Sequence, residues 1–591
     1  MIFPATRISP SDSSQAQGES LAGRVIFGLA TLALLLFGVF IISRPVLWLL
    51  GVVGDDAFYY LLTARHLAAS GVSTFDGIHL TNGYHPGWML LMTLCAKLFP
   101  GRDALLRACL ALSFLFQFVT GLLLTAAIRR CVSSFWAWTA GAFWLVGPLS
   151  LYLSMEGVEA SLYSCALALV LLTYLTRIAP HVRPEAPFNP PARDLAWFGV
   201  SLGIAFLART EAVILALTAF AFLALVIRYR TETTSSGRSY GRVLIFAGLP
   251  FLALALCWPL YSLLAVHTVT QRSGAMKMLW GAHYNAGLFR HLWSLEDFWR
   301  RMWVGRGQLF LGGTQLNSYW ILPLELIELI LPVLFFRRAW RDPEARPLVD
   351  LSLWLLSFLT ATGLFYGLFL TDIQIWYEIA PCLILFFLTL VWGFWLVSNS
   401  ARRQDLGSAR FQAAVCLLPL ALSLHFLLRP SISYPWQRDV YVSQPKFEAM
   451  IPPQARIGCF NAGIPAYFSD RTVVNLDGLV NNSIYPYWKS HTFDRYLPDQ
   501  HIDYVIDETD AIARGQDFSS AHLPLVPLAS APLRGWMHPT RWLWRVEVGQ
   551  ASGKTLQLRN DLSPGRAASD NEATRGLRGS SPNRRAALST K

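Results

Sequence analysis

VIFGLATLALLLFGVFIISRPVLWLL, residues 25–50, is the stretch that decides the fold class. It is an almost continuous apolar run, longer than the roughly 20 residues that an α-helix needs to cross the hydrocarbon core of a bilayer. The Ser-rich segment before it carries no signal-peptide cleavage pattern, and the run is too long for a signal peptide. The pattern therefore predicts a retained membrane-spanning helix.

Comparable apolar runs recur up to about residue 428. Hydrophobic residues make up 54% of the 591 positions and charged residues 15%, against roughly 25% charged residues in soluble domains. The runs predict about eleven spans. After the first, the predicted spans lie at approximately 104–128, 133–153, 157–176, 195–208, 211–228, 243–266, 320–336, 350–370, 376–398 and 411–428. The run from Trp88 to Phe99 is too short to cross, which predicts a re-entrant or surface-lying helix.

The basic residues lie in short groups between the apolar runs, as Arg129 with Arg130 and Arg337 with Arg338 show. Cytoplasmic loops are enriched in Arg and Lys, so these connections and the N-terminus are predicted to be cytoplasmic. The formal net charge of +12 therefore indicates topology and does not predict a nucleic-acid partner. An odd number of spans places the first loop and the chain after about residue 428 together on the extracytoplasmic side of the plasma (inner) membrane.

Four parts are predicted along the chain. They are a disordered cytoplasmic N-terminus, 1–24; a transmembrane domain, 25–428, with its first external loop at 51–103; an external α/β domain, 429–549; and a disordered tail, 550–591. The α/β domain is predicted from the short runs ARIGCF, RTVVNL, IDYVID and RWLWRVEV, which are separated by Gly, Pro and Asn. The fold class is thus a polytopic α-helical membrane protein with a small external α/β C-terminal domain.

The first external loop opens with GDDAFYYLLTARHLAASG, residues 54–71. Charge at a membrane edge is a functional-site hypothesis by default. Asp55 or Asp56 is a candidate general base, whose pKa would rise through partial burial and its neighbour's charge. Either is equally a candidate N-cap of the helix that follows. The residues leave both interpretations open.

Other ionisable residues fall on the same predicted side of the membrane. His85, before Pro86, is more often structural than catalytic. A pair across a tight turn would explain Arg209 and Glu211 without a site, and Lys277 can extend toward lipid headgroups. The predicted set that converges with the aspartates comprises His85, Glu159, Arg209, Glu211 and Lys277. Acids that activate a hydroxyl, beside cations that hold a phosphate, suit transfer from a lipid phosphate whose phosphate is the leaving group.

Five motifs, GDDAFYY, TFDGIHLTNGYHPGW, MEGVEASLY, LARTEAVIL and SGAMK, together resemble bacterial members of the GT-C glycosyltransferase superfamily. Those enzymes cross the membrane many times and use polyprenyl-phosphate sugars. The resemblance implies an inverting transfer in which an aspartate of the first external loop deprotonates the acceptor hydroxyl. By match to that motif, Asp55 is the leading base and Asp56 its alternative.

The resemblance also assigns roles to the remaining motifs. Glu159 matches the acid of a Gly-Met-Glu-Thr-like turn, from which Val158 and Ala160 depart. Arg209 and Glu211 match an Arg-Pro-Asp-like turn in which Thr210 replaces the proline. Lys277 is implied to contact the donor phosphate. Members that use polyprenyl-monophosphate sugars generally need no metal, so no cofactor is expected, although the paired acids keep a divalent ion possible.

In the C-terminal domain, Asn461 and Asp477 fall near predicted strand ends, where they suit turn chemistry or acceptor binding. The leading prediction is a membrane glycosyltransferase that moves a sugar from a polyprenyl-phosphate donor to a glycan, lipid or protein acceptor outside the cytoplasm. The alternatives are a transporter or flippase of lipid-linked sugars and a non-catalytic scaffold of envelope assembly. Transport would favour midplane ionisable sites and an inverted repeat, and the sequence shows neither pattern.

Overall fold

A computed structural model gives the fold of most of the chain. It describes residues 10–182, 188–230, 239–284, 322–370, 374–399, 423–424, 427–428, 430, 432–535 and 540–547. The predicted disordered tail, 550–591, and most of the predicted span 411–428 lie outside the described residues. The described residues up to Val546 belong to one compact unit.

Seven helices of the described chain are long and apolar enough to cross a membrane: Leu21–Ile42, Arg102–Ile128, Ala160–His181, Ala212–Tyr229, Ser239–Val266, Pro343–Phe369 and Ile375–Ser398. Each overlaps a predicted span, so the polytopic helical fold class is confirmed. The number of about eleven crossings stays a prediction. The segment predicted to be too short to cross is the helix Pro86–Leu98.

The helices in chain order are α1 Pro10–Ile42, α2 Val46–Leu49, α3 Asp55–Ser70, α4 Pro86–Leu98, α5 Arg102–Ile128, α6 Ser134–Val146, α7 Pro148–Met155, α8 Ala160–Thr173, α9 Ala192–Ala208, α10 Ala212–Arg230, α11 Leu249–Val266, α12 Arg272–Tyr284, α13 Leu322–Ala339, α14 Arg346–Phe369, α15 Ile379–Ser398, α16 Pro435–Glu448, α17 Gly463–Phe468, α18 Tyr485–Lys489, α19 Phe493–Asp499 and α20 Thr509–Asp517. Helix α1 begins at Pro10, and the predicted bounds of the N-terminal segment, 1–24, stay a prediction.

One predicted span, 133–153, is broken into α6 and α7. Pro148 begins α7 and has no N–H, so it cannot continue the hydrogen-bond ladder. The carbonyl of Trp144 instead accepts from Gln117 Nε2 at 2.7 Å and from Ser150 Oγ at 2.5 Å. The Trp144 carbonyl, which loses its helical partner at the break, is therefore hydrogen-bonded inside the bundle, where an unpaired carbonyl would be costly.

The C-terminal region contains a five-stranded sheet in the order β2-β1-β3-β5-β4. The strands are β1 Ile457–Cys459, β2 Val473–Asn475, β3 Tyr504–Glu508, β4 Leu525–Pro532 and β5 Thr540–Val546. The strands β1, β2 and β3 run parallel, and β5 pairs antiparallel with both β3 and β4. Four strands coincide with the predicted runs. The fifth, β4, was not predicted because its prolines argue against a strand, yet Pro is tolerated at the edge position that β4 occupies.

Helix α3 joins the membrane part to the sheet region. The Tyr59 hydroxyl lies 3.0 Å from Asp477 Oδ2 and 3.1 Å from the carbonyl of Phe460. At the start of α5, the carbonyl of Arg102 accepts from the hydroxyl of Tyr467, which belongs to α17, at 2.7 Å. These contacts bring loops from distant parts of the chain around the first turns of α3.

Candidate active site

A cavity of about 50 Å³ lies beside the first turns of α3. Its walls come from α3, the loop before α4, the turn before α8, α12, the turn before α15 and a loop after β2. The lining residues are Asp56, Tyr59, Tyr60, Gly83, Tyr84, His85, Val158, Glu159, Ser273, Lys277, Trp376, Tyr377, Leu479 and Val480. Four predicted site residues therefore share one cavity: Asp56, His85, Glu159 and Lys277.

Lys277 contributes the cation of the cavity wall. Its side chain is buried, its ammonium donates to the Tyr377 hydroxyl at 2.9 Å, and it lies 4.8 Å from the centre of that ring. An ammonium over an aromatic face is stabilised electrostatically by the ring. The cavity wall thus holds a lysine side chain that is largely shielded from bulk water.

Glu159 is fixed from two sides. Arg209 Nη1 donates to its Oε1 at 2.8 Å, and the Tyr60 hydroxyl donates to its Oε2 at 2.9 Å. Both Glu159 and Arg209 are buried, at 3% and 1% exposure. A buried charge pair of this kind is tolerated because each partner is also hydrogen-bonded. Glu159 therefore has a defined orientation before any ligand binds.

Arg209 and Glu211 form the layer behind the cavity wall. Arg209 Nε donates to Glu211 Oε1, and the Tyr366 hydroxyl donates to the same oxygen at 2.8 Å. The Arg209 guanidinium lies 4.5 Å from the centre of the Tyr377 ring. The predicted turn pairing is present, but the same guanidinium also reaches Glu159. The pair consequently positions a cavity residue and does not only close a helix turn.

His85 is held in one tautomer. The backbone N–H of Thr210 donates to its Nδ1 at 3.2 Å, so the proton of the neutral ring lies on Nε2, 3.6 Å from Glu159 Oε1. Burial lowers the pKa of His85. A neutral imidazole with its N–H toward Glu159 is suited to positioning that carboxylate.

Asp55, the leading base predicted from the motif, is engaged elsewhere. Its Oδ2 accepts from the N–H of Gly463 at 3.1 Å and its Oδ1 from the N–H of Ile464 at 2.8 Å. A Cβ on Gly463 would lie 2.7 Å from Asp55 Oδ2, so the carboxylate packs directly against this backbone. Burial raises the pKa of Asp55 to about 7. Asp55 joins α3 to the start of α17 and does not line the cavity.

Two predicted residues of the C-terminal region also lie outside the cavity lining. Asn461 Nδ2 donates to Glu508 Oε2 at 3.2 Å, and burial raises the pKa of Glu508 to about 9. Asp477 Oδ1 accepts from the N–H of Leu479 at 2.7 Å, so it shapes the loop whose next residues do line the cavity. The Asp477 contact is a turn hydrogen bond, whereas the Asn461 side chain contacts a residue that is distant in the sequence, and acceptor binding by either residue stays a prediction.

One family model and several solved structures are similar to parts or most of the chain. A family model described as a domain of unknown function, DUF8728, matches residues 442–557. None of the curated proteins compared with the chain matches it.

Several solved structures are similar. ArnT from Cupriavidus metallidurans bound to undecaprenyl phosphate is 14% identical with a TM-score of 0.47, over 87% of this chain and 98% of that chain. The oligosaccharyltransferase AglB from Archaeoglobus fulgidus, in complex with an inhibitory peptide and a dolichol-phosphate, is 14% identical with a TM-score of 0.47, over 85% and 71%. The arabinofuranosyltransferase AftD from Mycobacteria is 12% identical with a TM-score of 0.37, over 89% and 40%. By their names, the second of these proteins is an oligosaccharyltransferase and the third an arabinofuranosyltransferase.

Several cavity residues were not predicted from the sequence. Tyr60 lies four residues after Asp56, and its hydroxyl contacts Glu159. Trp376 and Tyr377 stand at the start of an apolar span, where aromatic residues normally indicate only a membrane interface. The sequence feature that could have indicated these cavity residues is the cluster of aromatic residues beside each charged turn.

Among the residues that the structure describes, no group of three or more His, Cys, Asp or Glu side chains is arranged to hold a metal ion. The charges of the cavity wall are instead arranged in pairs. Arg209 lies between Glu159 and Glu211, and Asp56 and Lys277 are further ionisable residues of the described lining.

Proposed function

We propose that this chain is an inverting glycosyltransferase that moves a sugar from a polyprenyl-phosphate donor to a hydroxyl of a glycan, lipid or protein acceptor outside the cytoplasm. One observation carries the proposal: Asp56 and Lys277 line the same buried cavity, next to a Glu159 that is fixed by Arg209 and Tyr60. A carboxylate and a cation at one site are what hydroxyl activation and phosphate departure require.

Asp56 acts as the general base in this mechanism. The acceptor hydroxyl transfers its proton to the Asp56 carboxylate while its oxygen forms a bond to the anomeric carbon. The bond from that carbon to the phosphate oxygen breaks, and the phosphate leaves with the electron pair. Attack from the face opposite the phosphate inverts the anomeric centre. We assign the base to Asp56 because the Asp55 carboxylate already accepts two backbone N–H groups.

Lys277 stabilises the departing phosphate, whose negative charge grows as the bond breaks. Its burial strengthens this interaction, because charges attract more strongly where water is excluded. Glu159, oriented by Arg209, Tyr60 and His85, is placed to accept hydrogen bonds from sugar hydroxyls. Polyprenyl monophosphate donors are expected to need no metal, and the mechanism uses protein groups alone.

The cavity must open before the donor enters. Its volume of about 50 Å³ is far below the roughly 300–1,000 Å³ of typical ligand pockets. The wall formed by residues 479–480 belongs to the C-terminal region, whereas the opposite wall belongs to α3 and α12. Donor binding therefore requires these walls to separate.

The test is transfer of a labelled sugar from a panel of polyprenyl-phosphate donors in membranes with matched amounts of protein. The Asp56→Asn variant is expected to lose about 10²–10⁴-fold in rate, the usual contribution of a general base. In contrast, Asp55→Asn is expected to lower thermal stability through its lost backbone contacts, with less effect on the rate per folded molecule. Full activity of Asp56→Asn would refute its role as base, and no transfer by wild type with any donor would refute the enzyme proposal.

A further inference from the structure

A second and larger cleft lies on the other side of α3, with a volume of about 690 Å³. It runs between α3, the end of α4, the start of α5 and the segment 466–473 after the start of α17. Among the described residues, it shares none of its lining with the proposed donor cavity. This volume is within the range of typical ligand pockets.

The ionisable residues that line the cleft are mainly basic. Its cations are Arg65, Lys97, Arg102 and Arg471, and His66 lies among them. Its carboxylates are Asp76 and Asp470. The formal balance is thus four positive against two negative charges, before His66 is counted.

The two carboxylates do not cancel this charge at the centre of the cleft. Asp76 accepts from the N–H groups of Ile78 and His79 at 2.9 and 2.7 Å, and its other oxygen lies 2.6 Å from His79 Nδ1. Asp470 is 91% exposed and pairs with Arg102 at 2.9 Å. Asp76 is therefore occupied by its own loop, and Asp470 lies at the rim.

Neutral acceptors hold Arg471 in place. Its Nη1 donates to the carbonyl of Pro452 at 2.6 Å and its Nη2 to that of Glu448 at 2.6 Å. The nearest carboxylate oxygen, Glu448 Oε2, lies 4.0 Å from its Nε. Arg471 is thus positioned largely by carbonyl groups, which leaves much of its positive charge to act on the cleft.

Helix α4 places the cleft beside an apolar surface. Leu90, Leu94 and Leu98 are 61%, 50% and 74% exposed and follow one another at four-residue spacing, so they form a single stripe. In a chain with membrane-spanning helices, an exposed leucine stripe on a short helix is expected to contact lipid. Lys97 lies beside this stripe and lines the cleft. We therefore expect these basic groups to lie at the depth of lipid headgroups.

We propose that this cleft binds the phosphate group of an anionic membrane lipid, with Arg65 and Lys97 as direct contacts. The lipid tails would lie along the leucine stripe of α4 while the phosphate enters between the cations. This site is independent of the donor cavity, because α3 places Arg65 nine residues after Asp56, about 13 Å farther along the helix.

The test measures binding of radiolabelled phosphatidylglycerol to the purified full chain in neutral-detergent micelles. The double variant Arg65→Gln with Lys97→Gln is expected to weaken binding about ten-fold, since it removes two charge-assisted contacts. Matched variants Lys489→Gln, an exposed cation outside the cleft, and Lys277→Gln, in the donor cavity, are expected to bind within about two-fold of wild type. Unfolding temperatures confirm that each variant is folded.

Several results would overturn the proposal. The double variant could bind the lipid as tightly as wild type, Lys489→Gln could weaken lipid binding as much as the double variant does, or wild type could fail to bind the lipid. A loss in Lys277→Gln alone would place the lipid in the donor cavity and also refute it. In a parallel arm with inorganic phosphate, competition against bound lipid supports a phosphate site, whereas binding of inorganic phosphate without binding of the lipid overturns the lipid assignment.

Discussion

Lys277 contacts the Tyr377 hydroxyl at 2.9 Å inside the cavity wall, and its proposed role is to stabilise the departing phosphate. Lys277→Gln keeps a hydrogen-bond donor at this position but removes the charge. Because the lost interaction is strongest when the phosphate leaves, kcat/KM for the donor is expected to fall about 10²–10³-fold. Steady-state transfer kinetics with varied donor concentration measure this loss.

Two matched variants separate charge from packing at Lys277. Lys277→Arg retains the charge and is expected to recover part of the rate, although the planar guanidinium does not reproduce the geometry of the ammonium. Lys489→Gln removes an exposed lysine elsewhere and is expected to leave kcat/KM unchanged. An unaltered kcat/KM in Lys277→Gln would exclude contact with the donor phosphate.

Asp477 gives the protein a predictable dependence of stability on pH. Burial raises its pKa from 3.8 to about 7, so between these values the folded protein binds the proton more tightly than the unfolded chain. The free energy of unfolding contributed by this group is therefore greatest below about pH 4 and falls as the pH rises to about 7. The contribution of Asp55 to the free energy of unfolding falls in the same pH range, because burial raises its pKa to about 7 as well.

As the pH rises from 5 to 8, the free energy of unfolding is expected to fall less for Asp477→Asn than for wild type. The difference in apparent unfolding temperature is expected to be several degrees, since about 1 kcal/mol corresponds to roughly 2–4 °C in a domain of moderate size. Intrinsic fluorescence of the detergent-solubilised protein measures it. Asp470→Asn, at a side chain that is 91% exposed, is the control, and a wild-type pH profile in Asp477→Asn would contradict the prediction.

The sequence predicted the residue types of the site better than their individual roles. His85, Glu159 and Lys277 line one cavity, and the predicted topology puts their loops on one side of the membrane; their roles stay predictions. The choice between Asp55 and Asp56 was not predictable, because it depends on the N–H groups of Gly463 and Ile464, more than 400 positions away. The base itself stays a proposal that only the variants can test.

At the scale of elements, the loop before α4 and the loop after β2 meet at a single glycine. A Cβ on Gly83 would lie 1.6 Å from the carbonyl oxygen of Leu479. A Gly83→Ala substitution must therefore move one backbone away from the other, and it would displace two walls of the cavity. Transfer is expected to fall at least about ten-fold, because small misplacements of reacting groups are costly. The transfer assay and the unfolding temperature are measured together.

The matched control for this substitution is Gly28→Ala in α1. No heavy atom lies within 4 Å of the position that its Cβ would take, so the methyl group fits without displacement. Alanine also has the higher helix propensity, and wild-type transfer is expected. Full activity of Gly83→Ala would show that the contact between the two loops does not shape the site.

The elements also show where sequence patterns reach their limit. Apolar runs located every long helix because hydrophobicity is a property of each segment alone. The break at Pro148 was not predicted, because the apolar run continues through it. The edge strand β4 was not predicted either, because its prolines argue against a strand. Contacts with other segments explain both features. The Gln117 side chain donates to the Trp144 carbonyl at the helix break, and β4 is held by its pairing with β5.

At the scale of the whole molecule, the proposal requires the cavity and the C-terminal region to lie on the side opposite the basic loops. The sheet region forms one wall of the cavity, so both must lie on the same side of the membrane. The basic groups between the apolar helices predict that the connections before α6 and α9 are cytoplasmic. Arg193, in the first turn of α9 directly after the second of these connections, has a side chain that is 78% exposed, and Lys489 of the C-terminal region is also exposed.

Labelling of introduced cysteines tests this orientation. Lys489→Cys is expected to react with a membrane-impermeant maleimide in intact cells, whereas Arg193→Cys is expected to react only after the membrane is permeabilised. Wild type, with its eight native cysteines, provides the background. Because the labelled residues lie outside the proposed catalytic contacts, both variants are also expected to transfer sugar at the wild-type rate. The reverse labelling pattern would place the cavity in the cytoplasm, and it would rule out transfer to an extracytoplasmic acceptor even if Asp56 proved to be the base.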